Sequence, residues 1–214
     1  MKSIIQILFK IINCFFTYDD CKKIKRIKDE IKSFWIMSRF DSCPDSVRFG
    51  SIMSLQGEKY IRIGERTTFC DALSLSAWSQ YGKQSFNPNI TIGNDCSIGA
   101  YNNITCINKI QIGDGFLSGK WVTITDNAHG SSDFKSLMIF PSKRIITTKG
   151  TVIIGRNVWV GDKATILPGV KIGDCSIIAA NSVVTKDIPS FCVAAGNPAK
   201  IIKEIPNNED IIHI

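Results

Sequence analysis

The sequence predicts an all-β solenoid, in which short parallel strands form a triangular prism that follows an N-terminal helical segment and carries a long inserted loop. One observation is a set of aliphatic–glycine pairs, from Ile63-Gly64 to Ile172-Gly173. Another is a strict period, because an aliphatic residue returns every six positions at Ile154, Val160, Ile166, Ile172, Ile178 and Val184. A helix repeats after about 3.6 residues and a strand after about 2, so a six-residue period indicates short strands separated by turns.

One coil of this prism consists of three six-residue segments, each with one aliphatic side chain pointing inward. Residues one coil apart are therefore predicted to stack, Ile154 on Ile172 and Val160 on Ile178. The residue four positions after each aliphatic one is expected to fill the remaining interior; these residues are Val158, Ala164, Val170, Ser176 and Ser182.

Two intervals exceed the length of a coil. Ile63 and Ile92 are 29 residues apart, and Ile112 and Ile154 are 42 apart. Insertions leave a solenoid at its edge, where they form walls over a cleft. We predict a β-helix domain over residues 41–205 with insertions at about residues 75–88 and 127–150. The second insertion contains His129.

Residues 1–40 are predicted to form an amphipathic helical segment, because Ile4, Ile5 and Leu8 begin a series of apolar residues at helical spacing. The run is broken by Lys10 and Asn13, and it is too short for a transmembrane span. Packing on the same domain, packing on a neighbouring subunit and contact with a membrane surface all fit this pattern. Residues 206–214 are expected to form a tail.

Composition limits the kinds of partner and binding site that the chain is expected to have. The chain has 214 residues, a formal net charge of +7, eight cysteines and two histidines. No C-x-x-C pair occurs, so we expect no metal site and a reducing compartment. The basic balance suits nucleic acid, an anionic membrane surface or a phosphorylated small molecule, and does not choose among them. We expect no nucleic-acid partner. Four cysteines are predicted to be buried as small apolar residues: Cys96, Cys106, Cys175 and Cys192.

The segment "NVWVGDKATILPGVKIGDCSIIAANSVVTKDIPSFCVAAGNPAKIIKEI" resembles the terminal coils of the hexapeptide-repeat acyltransferases. The segment "TITDNAHG" resembles the part of that family that carries the catalytic histidine. The likeness covers about residues 47–205 and is to the maltose/galactoside and polysaccharide O-acetyltransferases. It implies a left-handed parallel β-helix, a homotrimer, and acetyl-CoA as the acyl donor without a metal. The implied reaction is acetylation of a sugar hydroxyl in a cell-surface glycan or its precursor. It would take place in the cytoplasm or at the inner face of the membrane.

The resemblance assigns the role of general base to His129. A histidine suits this task, because its ordinary pKa lies near 6.5 and general-base catalysis contributes about 10²- to 10⁴-fold. Asp126 and Asp133 are the candidates for orienting its ring. His213 is expected to be a solvated residue of the tail.

The resemblance also places coenzyme A on the last coils. Lysines there would pair with the negative charges of the nucleotide. Small residues would let the pantetheine arm run close to the backbone, and a tryptophan would pack on that arm. Lysine in place of the family's frequent arginine, and the aspartate at 162, depart from the family pattern. The assigned residues are Trp159, Gly161, Asp162, Ala179, Ala180, Thr185, Lys186, Lys200 and Lys203.

The acceptor is expected about one coil before the histidine. Asn102, Asn103 and Asn108 are candidates for binding sugar hydroxyls, with corner asparagine ladders as the alternative. Trp121, together with Trp78 and Tyr81, is a candidate for stacking on a sugar ring or for core packing.

Other activities fit the sequence less well. The nearest alternative is N-acetylation of an amino sugar or of an antibiotic with the same histidine, and a non-catalytic scaffold is a second. A serine acetyltransferase would have a long helical N-terminal domain, and a γ-type carbonic anhydrase needs three histidines for its metal. Cys70 and Cys106 stay open as nucleophiles, although we expect direct transfer without an acyl-enzyme.

Overall fold

The structure, a computed structural model, describes residues 4–6, 10 and 16–206. Residues from Arg48 onward wind through three sheets in turn. The first sheet contains β1 (Arg48–Phe49), β4 (Thr68–Phe69), β9 (Ser97–Ile98), β12 (Leu117–Ser118), β17 (Trp159–Val160), β20 (Ile177–Ile178), β22 (Cys192–Gly196) and β23 (Ala199–Glu204). The second contains β2 (Ile52–Gln56), β5 (Leu73–Ala77), β10 (Asn103–Cys106), β13 (Thr123–Thr125), β18 (Thr165–Ile166) and β21 (Val183–Val184). The third contains β3 (Ile61–Ile63), β8 (Asn89–Ile92), β11 (Lys109–Ile112), β16 (Val152–Ile154) and β19 (Lys171–Ile172).

The coils stack in the predicted register. Ile154 pairs with Ile172 and Val160 pairs with Ile178, both in parallel ladders. Within the three sheets only β22 and β23 pair antiparallel, and this hairpin closes the described end of the prism. The five small residues predicted to fill the interior are all buried.

Three of the four cysteines predicted to be buried, Cys96, Cys106 and Cys192, are buried. The prediction for Cys175 is wrong. It lies at a corner with a backbone φ of 58° and is only half-buried. The six-residue register gives this position to the turn, so its side chain does not point inward.

Both insertions leave the prism from the same edge. We call the edge between the first and second sheets the first edge, and the edge between the second and third sheets the second edge. Residues 78–88 and 126–151 both lie at the second edge. They contain two hairpins, β6 (Gln80–Tyr81) with β7 (Gln84–Ser85) and β14 (Ala128–His129) with β15 (Ile146–Thr147), and a short helix α2 (Phe134–Leu137). Because the two insertions start from the same edge, with a single coil between them that turns there after β10, they are able to meet.

Helix α1 (Tyr18–Met37) packs outside the first coil. Thr17 caps it in a capping box with Asp20, and the Ser33 hydroxyl bonds the backbone of Phe49. Met37 joins the buried core beside the stacked rings of Phe40, Phe49 and Phe69. The rest of its apolar stripe points away from the prism and is exposed: Ile24, Ile27, Ile31, Phe34 and Trp35. Residues 4–6 and 10 are helical, while Leu8, Asn13 and most of the tail including His213 lie outside the described residues.

Candidate active site

His129 lies in β14 at the second edge, opposite Ile146 of β15. Beside it is a pocket of about 230 Å³. The lining residues come from the first insertion, from the turn after β10 and from the second insertion: Trp78, Tyr81, Thr105, Ile107, Asn127, His129 and Ile146. The histidine that the resemblance singled out is therefore in the wall of a pocket that both insertions build.

Asp126 holds the turn after β10, which contributes Ile107 to the pocket lining. It is fully buried, and its carboxylate accepts hydrogen bonds from the backbone N–H groups of Ile107 (2.9 Å), Asn108 (2.8 Å) and Lys109 (2.8 Å). The Cys106 thiol lies 3.1 Å from it. The carboxylate is thus occupied by the turn after β10, and the prediction that Asp126 orients the imidazole is wrong.

Asp133 also has another role. It is the N-cap of α2, where its side chain accepts a hydrogen bond from the Ser136 backbone N–H at 3.0 Å. A hydrogen bond from the Ser131 hydroxyl, and then hydrogen bonds from the backbone and side chain of Ser136, lower the pKa of this carboxyl to about 2. These partners are all local to α2, so Asp133 does not orient His129 either.

The groups nearest the imidazole are aromatic. The ring of Tyr81 meets the ring of His129 edge-on, with centroids 5.6 Å apart, and Trp78 meets Tyr81 edge-on at 6.4 Å. Across residues 16–206, no side-chain hydrogen bond to His129 is present. Both ring nitrogens are therefore available to an acceptor hydroxyl and to the leaving group.

The asparagines predicted for the acceptor lie in different places. Asn102 is buried, donates to the Ser118 hydroxyl and accepts from the Val122 backbone N–H at 2.6 Å. The prediction that Asn102 binds sugar is therefore wrong, since its amide hydrogen bonds to Ser118 and Val122 inside the prism. Asn103 is exposed on the second sheet, and Asn108 is half-buried in the turn after β10, next to the pocket residue Ile107.

Trp121 lies at the first edge, not beside His129. Its backbone φ is 63°, and its ring stacks on that of Tyr101 with centroids 4.1 Å apart and planes 6° apart. One face of Trp121 is thus covered by Tyr101. Within one chain, Trp121 and the histidine pocket belong to different edges.

The predicted cofactor residues divide between the two edges. Thr185 and Lys186 are exposed at the second edge, after β21. The remaining seven lie on the first sheet or at the first edge: Trp159, Gly161, Asp162, Ala179, Ala180, Lys200 and Lys203. Trp159 is 50% exposed on the outer face of the first sheet, next to the exposed Leu117.

Two of these residues also have a structural role. A Cβ added to Gly161 would lie 2.6 Å from the Ala180 backbone nitrogen, so only glycine lets these coils stack. Asp162 accepts a hydrogen bond from the Lys120 backbone N–H at 2.8 Å, which ties neighbouring coils together at the first edge.

The cysteine alternatives find little support. Cys106 is buried, and burial raises the pKa of its thiol, which keeps it in the unreactive protonated form. Cys70 is exposed but lies at the first edge, beside α1. The described residues hold no group of three or more histidine, cysteine or acidic side chains spaced to bind a metal.

Several pocket residues were not identified from the sequence. Thr105 lies in β10 and Ile107 in the turn after it, Asn127 follows the buried Asp126, and Ile146 lies in β15 of the second insertion. The length of the second irregular interval was the sequence signal for Asn127 and Ile146, whereas Thr105 and Ile107 lie outside both long intervals and had none.

Comparisons with known proteins agree with this architecture. Residues 151–186 match the family described as Bacterial transferase hexapeptide (six repeats). WbbJ of Escherichia coli (strain K12), named for lipopolysaccharide biosynthesis O-acetyl transfer, is 37% identical over 153 residues, which are 70% of this chain and 74% of WbbJ.

Two solved structures share the fold. A maltose O-acetyltransferase from Clostridium difficile 630 is 28% identical, with a TM-score of 0.52, over 88% of this chain and 86% of its own. A variant of AntD, a Bacillus cereus N-acyltransferase solved with dTDP-4-amino-4,6-dideoxyglucose and coenzyme A, is 20% identical, with a TM-score of 0.61, over 84% of this chain and 89% of its own. The predicted left-handed parallel β-helix is confirmed. The chain belongs to the hexapeptide-repeat acyltransferases, and it is an acyltransferase.

Proposed function

We propose that this acyltransferase transfers acetyl from acetyl-CoA to a sugar hydroxyl of a cell-surface glycan or its precursor, with His129 as the general base. The observation that carries the proposal is the position of His129 in the wall of the pocket between the two insertions. The name of WbbJ supports a glycan acceptor, because that relative covers most of this chain.

The chemistry follows from the free imidazole. One ring nitrogen takes the proton of the acceptor hydroxyl as its oxygen attacks the thioester carbonyl. The tetrahedral intermediate then collapses, its carbon–sulfur bond breaks, and the imidazolium returns the proton to the departing coenzyme A thiolate. Acetyl ester and free thiol are the products, and no metal is needed.

The pocket walls suit one sugar ring. Trp78 offers aromatic surface for the apolar side of a pyranose, and Thr105 and Asn127 contribute a hydroxyl and an amide to the lining. Asn103, Asn108 and Trp121 stay proposals for contacts with more distant parts of the acceptor.

The acyl donor is proposed to lie along the last coils. The exposed lysines 186, 200 and 203, with Thr185, would bind the phosphates and nucleotide of acetyl-CoA. The pantetheine arm would pass Trp159, Gly161 and Asp162 and the small side chains of Ala179 and Ala180. The AntD variant, which shares the fold, was solved with coenzyme A.

We propose a homotrimer in which two copies share each site. Within one chain His129 lies at the second edge, whereas most of the proposed coenzyme A residues lie on the first sheet or at the first edge. The second insertion also exposes a row of large apolar side chains: Phe134, Leu137, Met138, Ile139, Phe140 and Ile145. A neighbouring copy would bury this row and bring its own first edge to His129. A crystal structure with coenzyme A bound would test this arrangement by showing whether the cofactor and the nearest His129 belong to different copies.

We propose a cytoplasmic location with peripheral attachment to the inner face of the membrane. The exposed stripe of α1 ends in Trp35, which is 83% exposed, and Lys28 and Lys32 run beside it. Neither lysine forms an ion pair within residues 16–206. An apolar stripe flanked by lysines is typical of helices that lie on anionic bilayers. In the described part of the chain, no helix combines the length and the apolar character needed to span a bilayer.

Vesicle flotation tests the attachment. The protein should float with vesicles of phosphatidylglycerol and phosphatidylcholine and stay behind with phosphatidylcholine alone. The double variant Ile27→Gln, Ile31→Gln should lose most of this binding, because it removes apolar area from the stripe. Equal flotation of the variant and the unchanged protein would show that the stripe binds something else, such as a second copy.

A panel of acceptors separates O-acetylation from its alternative, N-acylation of an amino sugar or an antibiotic. Release of free thiol from acetyl-CoA should depend on a sugar that carries hydroxyls only, and the product should contain an alkali-labile acetyl ester. Turnover confined to amine acceptors, with an alkali-stable amide as product, would favour the chemistry named for AntD instead.

A further inference from the structure

The first insertion holds the strand that carries His129. The side-chain amide of Gln84 donates to the Ile146 carbonyl at 3.1 Å and accepts from the Ile146 backbone N–H at 2.7 Å. Ile146 is the residue directly opposite His129 in the β14–β15 ladder. One side chain thus replaces a missing strand partner and joins the two insertions through residues 62 apart in sequence.

The β14–β15 ladder needs such support. It pairs only two residues from each strand, and an isolated two-stranded ribbon is marginally stable in water. Beyond the ladder the insertion continues into α2 and a segment of exposed apolar residues, which offer His129 no anchor in this chain. Gln84 belongs to the short β6–β7 hairpin, which starts directly after β5 of the prism.

The same hairpin also limits the orientation of the ring. Tyr81, which pairs with Gln84, places its own ring edge-on against the imidazole at 5.6 Å. Neither Asp126 nor Asp133 orients His129, and no carboxylate hydrogen bonds to its ring within residues 16–206. The contact with Tyr81 is therefore the restraint that the structure provides on the ring.

We infer that the hairpin from Gln80 to Ser85 is the positioning element of the catalytic base. Gln84 fixes the backbone that carries His129, and Tyr81 fixes the rotation of its ring. Both are positioning residues, since they act on the imidazole and not on the reacting atoms. The inference rests on the proposed function of His129.

Kinetics of Gln84→Ala test the backbone part. A misplacement of about 1 Å costs roughly 10²-fold in rate, so kcat should fall by about 10- to 100-fold while KM for acetyl-CoA stays unchanged. Lys83→Ala, at the exposed tip of the same hairpin, is the matched control and should keep the full rate. An unchanged kcat in Gln84→Ala would overturn the inference.

A double-variant cycle separates positioning from general damage to the fold. Once His129 is alanine, removing Gln84 should lower the residual rate no further, because there is no base left to position. An additional loss of the same size in that background would overturn the inference and indicate a structural role. Full activity of His129→Ala alone would instead reject the proposed function, so the two failures are distinguishable.

Tyrosine variants test the ring contact independently. Tyr81→Phe keeps the aromatic edge and should retain most of kcat. In Tyr81→Ala, kcat should fall by a factor similar to that expected for Gln84→Ala. Equal loss in both tyrosine variants would assign the effect to the phenolic hydroxyl and contradict a positioning role for the ring.

Discussion

Replacing His129 by alanine should lower kcat with a hydroxyl acceptor by about 10²- to 10⁴-fold, the usual contribution of a general base. The side chain is exposed in the pocket wall and makes no hydrogen bond within residues 16–206, so its loss should leave the fold intact. Thiol release from acetyl-CoA measures the rate, and circular dichroism during heating measures the fold. With the hydroxyl left protonated, the attack on the thioester should be slow even at saturating concentrations of both substrates.

The matched control for this variant is Lys135→Ala. Lys135 lies in α2 of the same insertion, is exposed, and lines no part of the pocket. It should retain the full rate. A His129→Ala variant as active as Lys135→Ala would remove the histidine from the mechanism and leave the pocket without a base.

Replacing Asp126 by alanine should cost more stability than any exposed change at the prism corners. Three backbone N–H groups, of Ile107, Asn108 and Lys109, would lose their acceptor at a fully buried carboxylate. An unsatisfied buried group costs about 1–3 kcal/mol. The N–H of Ile107 is buried and those of Asn108 and Lys109 are partly buried, so the free energy of unfolding should fall by about 2–4 kcal/mol. The shift of the urea midpoint at constant slope measures this change.

Asp114 provides the comparison for Asp126. It is also a corner aspartate, but it is exposed and its carboxylate accepts one backbone hydrogen bond, from Asn94 at 2.7 Å. Asp114→Ala should therefore cost about 1 kcal/mol or less. Equal midpoint shifts for the two variants would mean that the turn after β10 finds other partners and that Asp126 is not its main support.

The prism could be predicted because the six-residue pattern that specifies it is local in the sequence and recurs from coil to coil. A single six-residue period specifies which side chain points inward, and it correctly places Ile154 on Ile172. The same rule does not identify every polar residue of the core, although it places Ser176 and Ser182 there. Asn102 looked like a surface residue, yet it and Ser118, 16 residues later, satisfy each other inside the prism. A period in hydrophobicity carries no signal for such a pair.

The candidate site was predictable only in part. His129 stood out because the chain has two histidines and because of the resemblance. The residues around His129 could not be identified from the sequence, because Gln84 and Ile146 belong to loops without periodicity that meet only in the fold. The position of the two insertions at one edge became visible only when the coils were folded. The sequence leaves Asp126 as one of two candidates for orienting the imidazole, whereas the fold directs its carboxylate toward the preceding coil.

In the proposed reaction the acyl donor on the last coils must reach His129, although most of its proposed contacts lie on the first sheet or at the first edge of the same chain. The crystal structure of the protein with coenzyme A bound measures this directly. We expect the thiol within roughly 6 Å of a His129 ring, the reach of one attacking oxygen between base and thioester. The pantetheine arm should lie on the first edge of a neighbouring copy, near Ala179 and Ala180. A coenzyme A thiol far from every His129 in the assembly would contradict the account.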